Sequence, residues 1–465
     1  MNFGTYLESC IRKKDISINA LAKGCGINRG GLYSIFKNER KLKEDKLFDI
    51  IRAAGLNCAE EEKLVHLFFC DYFGESEFRR IESLLYEIQQ IGKEQPCEQR
   101  ETLPFEKKEI LMGEAEIHSA LEQLINTNES VTTNFSYDNK IIDQLFYHAV
   151  CSGRLQDLRH IITLSEEGDD AHNYKTLFSS FKYMYARSFP YYQWSSVGKL
   201  TELISFPNFA IGSDSAVLFD HNWGIFIEEE NAVLNLKKKA EALLNQCNKL
   251  GDTVQNVMDV KQIYQMSCFD RGKVISFQGY LCIAPFVDYS FIQSVVREEI
   301  PQRELLAKIA YEHYKSIFDT IDFLEFATID GLTRFAETGN VAEASGALVR
   351  SAGIPYRIEI LRNISRAVEA DRFFVFDDQK FYMPRNLAIE KYTNRIMFNG
   401  FDSSIPDFSQ TDRFFAEFSD VSLIQTFDRA ADYLIRSRKV HSKEFTQHLI
   451  DELILKLSDR VSKEF

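Results

Sequence analysis

Residues 21–42 read LAKGCGINRGGLYSIFKNERKL, and this stretch decides the fold of the N-terminal end of the chain. Gly24 and Gly26 supply a tight turn, where positive φ carries no side-chain penalty. Asn28 is placed to cap the helix that follows, because its side-chain oxygen accepts a free backbone N–H. In that helix Leu32, Ile35 and Phe36 fall on one face, while Arg29, Tyr33 and Lys37 repeat every four residues on the other. Upstream, Tyr6, Leu7, Cys10 and Ile11 form an apolar stripe at helical spacing. Ser17 is placed to cap a second helix, Ile18 to Gly24. Downstream, a fourth helix from Glu44 to Ala54 buries Leu47, Ile50 and Ile51, and Gly55 ends it.

The order Leu21-Ala22, Gly26-Ile27-Asn28, Leu32, Ile35, Asn38-Glu39-Arg40-Lys41 and Leu47 resembles the Cro/repressor-type (XRE) helix-turn-helix across residues 5–56. That resemblance implies a five-helix DNA-binding domain with its third helix in the major groove. Carried onto this chain, it makes Asn28, Arg29, Gly30, Tyr33, Ser34, Lys37, Asn38, Arg40 and Lys41 the DNA-facing set. Arg29 would reach a guanine and Tyr33 a base or a phosphate; Asn38, Arg40 and Lys41 would hold phosphates and set register. There are departures. Ile18 stands where many members carry a glutamine, and Gly30-Gly31 where small polar residues are usual. Each glycine costs roughly 1 kcal/mol of helix stability relative to alanine. Two readings stand: the glycines let backbone approach DNA closely, or sequence reading is weak and the module binds by charge or merely dimerises.

Charge is distributed to match. From Met1 to Asn57 there are eleven Lys/Arg and six Asp/Glu, a local +5. The whole chain has 55 basic and 69 acidic residues, so the remainder carries 44 and 63, a net −19. A basic head on an acidic body leaves the head as the docking surface for a polyanion. Nine scattered cysteines without a CxxC read as reduced thiols, not as disulfides or a zinc site. With no apolar signal core and no long apolar run, the expectation is a cytoplasmic protein without a membrane partner.

At 465 residues the chain exceeds one ordinary domain. The expected organisation is a helix-turn-helix domain over residues 1–60, a helical extension over 61–92 and a linker over 93–104. A sensor and dimerisation region over 105–465 follows, divisible into a helical part, 105–180, and an α+β part, 181–465. The linker rests on the polar GKEQPCEQRETLP stretch, bounded by Pro96 and Pro104. YHAVCSGRLQDLRHII reads as helix, glycine turn, helix, and AVLFDHNWGIFIEEENAVL as strand, turn, strand, helix. FFVFDDQKFYMPRNLAIEKY has the outline of the second of these, aligning Phe219 with Phe376 and Asp220 with Asp377, which fits either a duplication or two convergent hairpins. VISFQGYLCIAPF is a further candidate strand pair. The final segment carries an amphipathic stripe of Phe445, Leu449, Leu453, Leu457 and Val461, for the core or a dimer contact. The fold class expected is therefore mainly α, with a large helix-rich α+β body.

No HExxH, GxSxG, P-loop or GxGxxG is present, so no catalytic residue, metal ligand or cofactor is expected and the chain reads as a non-enzyme. His441 and His448 beside Asp451 and Glu452, and the acidic runs at 166–170 and 228–230, read as solvated surfaces; Cys25 reads as a buried thiol. In the aromatic block, Tyr185, Tyr191, Tyr192 and Trp194 are candidates for lining a ligand pocket, and core packing accounts for them equally. The expected function is a homodimeric transcriptional regulator that binds double-stranded DNA and senses a small-molecule or peptide effector. The alternative is a protein- or peptide-interaction module of helical-repeat type, with DNA secondary.

Overall fold

The computed structural model describes residues 2–91, 109–166, 170–195, 206–254, 272–318, 322–342, 348–401 and 413–464. The expected linker at 93–104 and part of the acidic run at 166–170 lie outside them. The chain divides into two compact units, residues 1–85 with 426–440, and residues 86–425 with 441–465.

The first unit is helical. Its elements are α1 (Phe3–Lys13), α2 (Ile18–Cys25), α3 (Arg29–Phe36), α4 (Leu47–Ala53), α5 (Cys58–Phe73) and the start of α6 (Glu75–Gln90). Leu7, Ile11, Leu21, Leu32, Ile35, Leu47, Ile50, Leu64 and Phe69 are buried together, from the stripes that helical spacing predicts. The sequence reading gave no sign that residues 426–440 belong here. They come from the helix Val421–Arg436 and its C-terminal turn. Tyr433 packs edge-on against Phe69 and Phe78, with centroids 4.9 and 5.2 Å apart. Arg429 pairs with Glu77 at 2.7 Å, and Arg436 pairs with Glu44 and stacks over Tyr72.

The second unit corrects the expected fold class. It is an α/β structure built on two large mixed sheets of eight and seven strands. The first half runs β1 (Ile110–Met112), α7 (Glu114–Thr127), β2 (Ser130–Thr133), α8 (Lys140–Cys151), β3 (Asp157–Ser165), α9 (Asp170–Tyr185) and β4 (Tyr191–Ser195). It continues with β5 (Asn208–Ile211), β6 (Ala216–Phe219), β7 (Trp223–Ile227), α10 (Glu230–Leu244) and β8 (Asn248–Lys249). Its strand order is β1-β7-β6-β5-β2-β3-β4-β8. Strands β2, β3 and β4 are parallel, and β5, β6, β7 and β1 continue from β2 as an antiparallel meander.

The second half carries β9 (Gly251–Val254), β10 (Val274–Gln278), β11 (Phe323–Ala327), β12 (Phe373–Val375), β13 (Leu387–Lys391), β14 (Ile396–Phe401) and β15 (Arg413–Phe418). Its order, β12-β11-β10-β13-β14-β15-β9, repeats the first sheet strand for strand from β4 to β1. Three parallel strands again adjoin an antiparallel meander, closed at the far edge by the strand that opens the half. Where β8 lies beside β4, the His441 N–H donates to the Val375 carbonyl beside β12 at 2.8 Å. Helices Tyr289–Val295, Arg303–Phe318, Ile329–Thr338, Ile354–Glu369 and Lys443–Glu464 accompany this sheet, and Ile450, Leu453 and Leu457 of the last are buried in its core.

Several expectations change with this topology. Region 105–180 is not a helical array, because β1, β2 and β3 alternate with its helices. The glycine turn at Gly153 leads from α8 into β3 and not into a helix. Strand β3 is parallel to both neighbours and buries Leu158, His160, Ile162 and Leu164 on one face, with Ile161 buried on the other; Leu155, Leu158, Ile161 and Ile162 also fall at helical spacing, which hid the strand. VISFQGYLCIAPF contains one strand, β10, followed by the short turn of helix Ala284–Phe286. The two halves do repeat, but not in the register that aligned Phe219 with Phe376. Phe219 ends β6, within the meander, whereas Phe376 follows β12, the outer parallel strand. The local likeness has a local cause. Asp220 accepts from the Asn222 and Trp223 N–H groups at 2.6 and 2.9 Å, and Asp377 from the Gln379 N–H at 3.2 Å, so both are aspartates folding a turn.

Candidate nucleic-acid interface

The helix-turn-helix is assembled from short contacts. Gly26 caps α2 at φ 64° and reverses the chain. The Asn28 side chain accepts the Gly31 N–H at 2.6 Å, capping α3. Ser17 occupies the N-cap of α2 without a side-chain cap bond. At Gly4 a Cβ would stand 2.0 Å from the Ile35 carbonyl oxygen, so α1 crosses the end of α3 at backbone contact.

The two glycines of α3 differ. Gly31 is buried, and a Cβ there would meet the Asn28 oxygen at 3.0 Å, Ile27 at 3.2 Å and the Arg40 guanidinium at 3.4 Å. Its role is packing beneath the cap. Gly30 is exposed, and its Cβ direction meets only the Asn28 oxygen, at 3.8 Å. Around it the exposed face of α3 carries Arg29, Tyr33 and Lys37, with Ser34 half-buried. The Arg29 guanidinium lies 5.6 Å from the Tyr33 ring centre and donates to its hydroxyl at 3.5 Å, so the pair is held together in advance.

Other expected contacts have structural work. Asn38, at φ 58°, accepts the Gly4 N–H at 3.1 Å and donates to the Phe36 carbonyl at 3.4 Å, tying α1 to α3. The Lys41 ammonium donates to the Asp71 carbonyl at 3.0 Å. Arg40 is exposed beside the buried Gly31. Cys25 is buried, its thiol 3.8 Å from the Ala22 carbonyl.

The aromatic candidates in the body lie where its two halves meet. Tyr185 packs edge-on to Phe414 at 4.8 Å, and Tyr192 and Trp194 lie on Phe418 at 5.4 and 5.8 Å. Tyr191 instead points to the core under α10. Phe181 of α9 continues the junction onto Phe398 at 4.6 Å. Burial raises the Tyr185 phenol well above its ordinary range, and among the described residues its oxygen has no hydrogen-bond partner.

Sequence reading missed a buried polar network in the first half. The Tyr137 hydroxyl lies 3.0 Å from His160 Nδ1, and His160 Nε2 lies 2.9 Å from the Phe135 carbonyl, which fixes the proton on Nε2. Burial depresses this imidazole to about 4. Nearby, Asp143 accepts from the Tyr183 hydroxyl at 2.9 Å and pairs with Lys182 at 2.5 Å. Burial raises the Asp143 carboxyl despite the lysine. No motif spacing announces this cluster, because four separate elements contribute to it.

A second missed feature crosses the other sheet. Register sets Glu325 of β11 opposite Ser276 of β10, and Ser276 opposite Glu390 of β13. The Tyr392 hydroxyl donates to Glu390 at 3.1 Å, and Arg395 faces Glu417 at 3.6 Å. Elsewhere Glu229, in the acidic run, caps α10 through the Asn231 and Ala232 N–H groups. His448 pairs with Glu452 at 3.3 Å, and His441 stacks on Phe445 at 4.1 Å. Among the described residues no helix is long and apolar enough to cross a membrane.

No protein-family model matches the chain, and no curated protein matches it. The solved structures similar to it include an enzyme and a chromatin protein. One is the phosphatidylserine synthase of Haemophilus influenzae Rd KW20, at 10% identity and TM-score 0.25, over 83% of this chain and 99% of that one. The other is TrmBL2, an archaeal chromatin protein described as having a novel mode of DNA binding, at 11% identity and TM-score 0.22, over 51% of this chain and 100% of that one. The synthase is an enzyme, and the expectation that this chain is a non-enzyme, which rested on absent motifs alone, is withdrawn. Absent motifs exclude only sites built from contiguous spacing, whereas catalytic groups converge from separate elements. At these TM-scores neither likeness assigns an activity.

Proposed function

We propose that the N-terminal unit binds double-stranded DNA with α3 in the major groove, and that the chain is a transcriptional regulator. The observation that carries this reading is the exposed face of α3. It sets Arg29, held by Tyr33, next to the uncrowded Gly30 and in line with Lys37. A bare backbone at Gly30 lets the helix approach a groove wall, and a guanidinium at the helix start reaches a guanine edge in two hydrogen bonds. Lys37 at the other end meets a phosphate. The body then serves as the dimerising and effector-sensing part. Two copies would pair their heads on a palindromic site, and an effector would act by changing how freely the heads engage it.

The test is selection of DNA by the full-length chain from a fragment library, then titration of the selected sequence at two salt concentrations. Arg29→Ala is expected to lower discrimination by about 1–3 kcal/mol at one base position. Lys37→Ala is expected to weaken all sequences alike and to reduce the salt slope by about one. Selection that returns no motif, or an Arg29→Ala variant with unchanged preference, overturns the docking.

A further inference from the structure

Helix α5 presents His66 and Cys70 one turn apart on the same face, with His66 Nε2 and Cys70 Sγ separated by 3.5 Å. A tetrahedral zinc ion with Zn–S of about 2.3 Å and Zn–N of about 2.0–2.1 Å spaces its sulfur and nitrogen ligands about 3.5–3.6 Å apart. The pair already stands at that spacing. The other ring nitrogen, Nδ1, lies 2.8 Å from Oε1 of Glu82 on α6. A carboxylate in that position holds the proton on Nδ1 and turns the Nε2 lone pair toward the thiol, as the outer partner of a metal-bound histidine does. His66 packs edge-on to Phe78 at 5.3 Å, which limits its swing. The site is open to water, with the His66 and Glu82 side chains 46% and 39% exposed.

The geometry points to a binding site for a borderline-soft divalent metal ion of the zinc type, ligated by His66 Nε2 and Cys70 Sγ and oriented by Glu82. No third protein donor converges among the described residues, so water completes the tetrahedron. On binding, the S–H bond breaks, its proton leaves to solvent and a sulfur–metal bond forms. The His66 Nε2 lone pair makes the second bond while Nδ1–H continues to donate to Glu82. Sulfur and imidazole together select zinc or cobalt over magnesium and calcium, which take oxygen. This inference does not depend on the chain binding DNA.

The experiment uses the reduced full-length chain. Zinc affinity is measured by competition with a chromophoric chelator, and cobalt is added as an optical probe. Wild type is expected to bind with a thiolate-to-cobalt charge-transfer band in the near ultraviolet. Cys70→Ser should abolish the contribution of this site to that band, and His66→Ala should weaken zinc binding at least tenfold. Glu82→Gln should weaken it about 10–100-fold, with both ligands still present. Circular dichroism confirms that each variant is folded, and His66→Ala serves as the deciding variant where Cys70→Ser does not fold. Absence of zinc binding by the wild type overturns the site. So does wild-type affinity in both Cys70→Ser and His66→Ala, because the ion then sits on another cysteine.

Discussion

In the N-terminal unit, the Gly26 turn and the Asn28 cap stand next to the helices they end and begin. In the body, the strands that pair lie far apart in sequence: Thr132 of β2 faces Ile211 of β5, and Gln278 of β10 faces Ala388 of β13. The first unit is thus specified largely by neighbours, the second by partners the chain must fold back to find. The contrast has one exception. Tyr433 fills the core of the N-terminal unit from the far end of the sequence. Local signals set the helices of the head, then, but a distant segment completes its core.

The strongest way to break this comparison is to remove that segment's anchor. Tyr433→Ala is expected to cost the N-terminal unit roughly 3–5 kcal/mol, as truncation of a large buried ring does. Hydrogen exchange at the amides of Leu64 and Phe69 is the readout. Unchanged protection there would mean that residues 426–440 only lie on a unit that is stable without them.

In the body, Asp143→Ala is expected to cost roughly 3 kcal/mol, because it leaves the Lys182 ammonium without its carboxylate, while the Tyr183 hydroxyl keeps the Asp143 backbone carbonyl at 2.8 Å. Urea unfolding of the full chain reads the loss in the body's transition. A shift under about 1 kcal/mol would show that water replaces the carboxylate at the half-exposed lysine.

The same cluster makes the body acid-sensitive. His160 is held neutral by burial, with its folded value near 4 against an ordinary 6.5. The unfolded chain therefore binds the extra proton first. The histidine's contribution is fully present above pH 6.5 and is lost as pH falls toward 4, by roughly 3 kcal/mol in all. Burial raises Asp143, which acts in the opposite direction. Comparison of wild type with His160→Gln isolates the histidine: the slope of stability between pH 6.5 and 4 should flatten in the variant. An equal slope in both would place the titration elsewhere.

The smallest effect belongs to the most local feature. Asn28→Ala removes the 2.6 Å cap bond and is expected to cost about 1 kcal/mol, seen as a small drop in thermal midpoint. A loss as large as that of Tyr433→Ala would mean the cap also fixes the Ile27 and Gly31 contact, and the division between local and distant determinants would fail.

Legibility followed the same division. The burial of Leu32, Ile35 and Phe36 and the exposure of Arg29, Tyr33 and Lys37 follow from helical period alone. The different duties of Gly30 and Gly31 do not, because they depend on where Arg40 and Ile27 come to rest. Asn38 looked like a phosphate contact and holds α1 by accepting the Gly4 N–H. The hairpin β6–β7 was readable from two short apolar runs on either side of its Asp220 turn. Strand β3 resembled a helix, since Leu155, Leu158, Ile161 and Ile162 fall at spacings of three and four residues and mask the alternation of Leu158, His160, Ile162 and Leu164.

By itself the sequence determined the short-range geometry: which helices form at the N-terminus, where they start and stop, and which faces are basic or apolar. Those outcomes depend on spacings of three and four residues and on caps one residue away. Tertiary structure alone decided the repeated strand order of the two sheets, the burial of His160 beside Tyr137, the placing of Tyr433 in the head, and the 2.8 Å contact that turns His66 toward Cys70. Each of these joins residues from separate elements, and pairing between distant segments is set by packing and register, which no local pattern encodes.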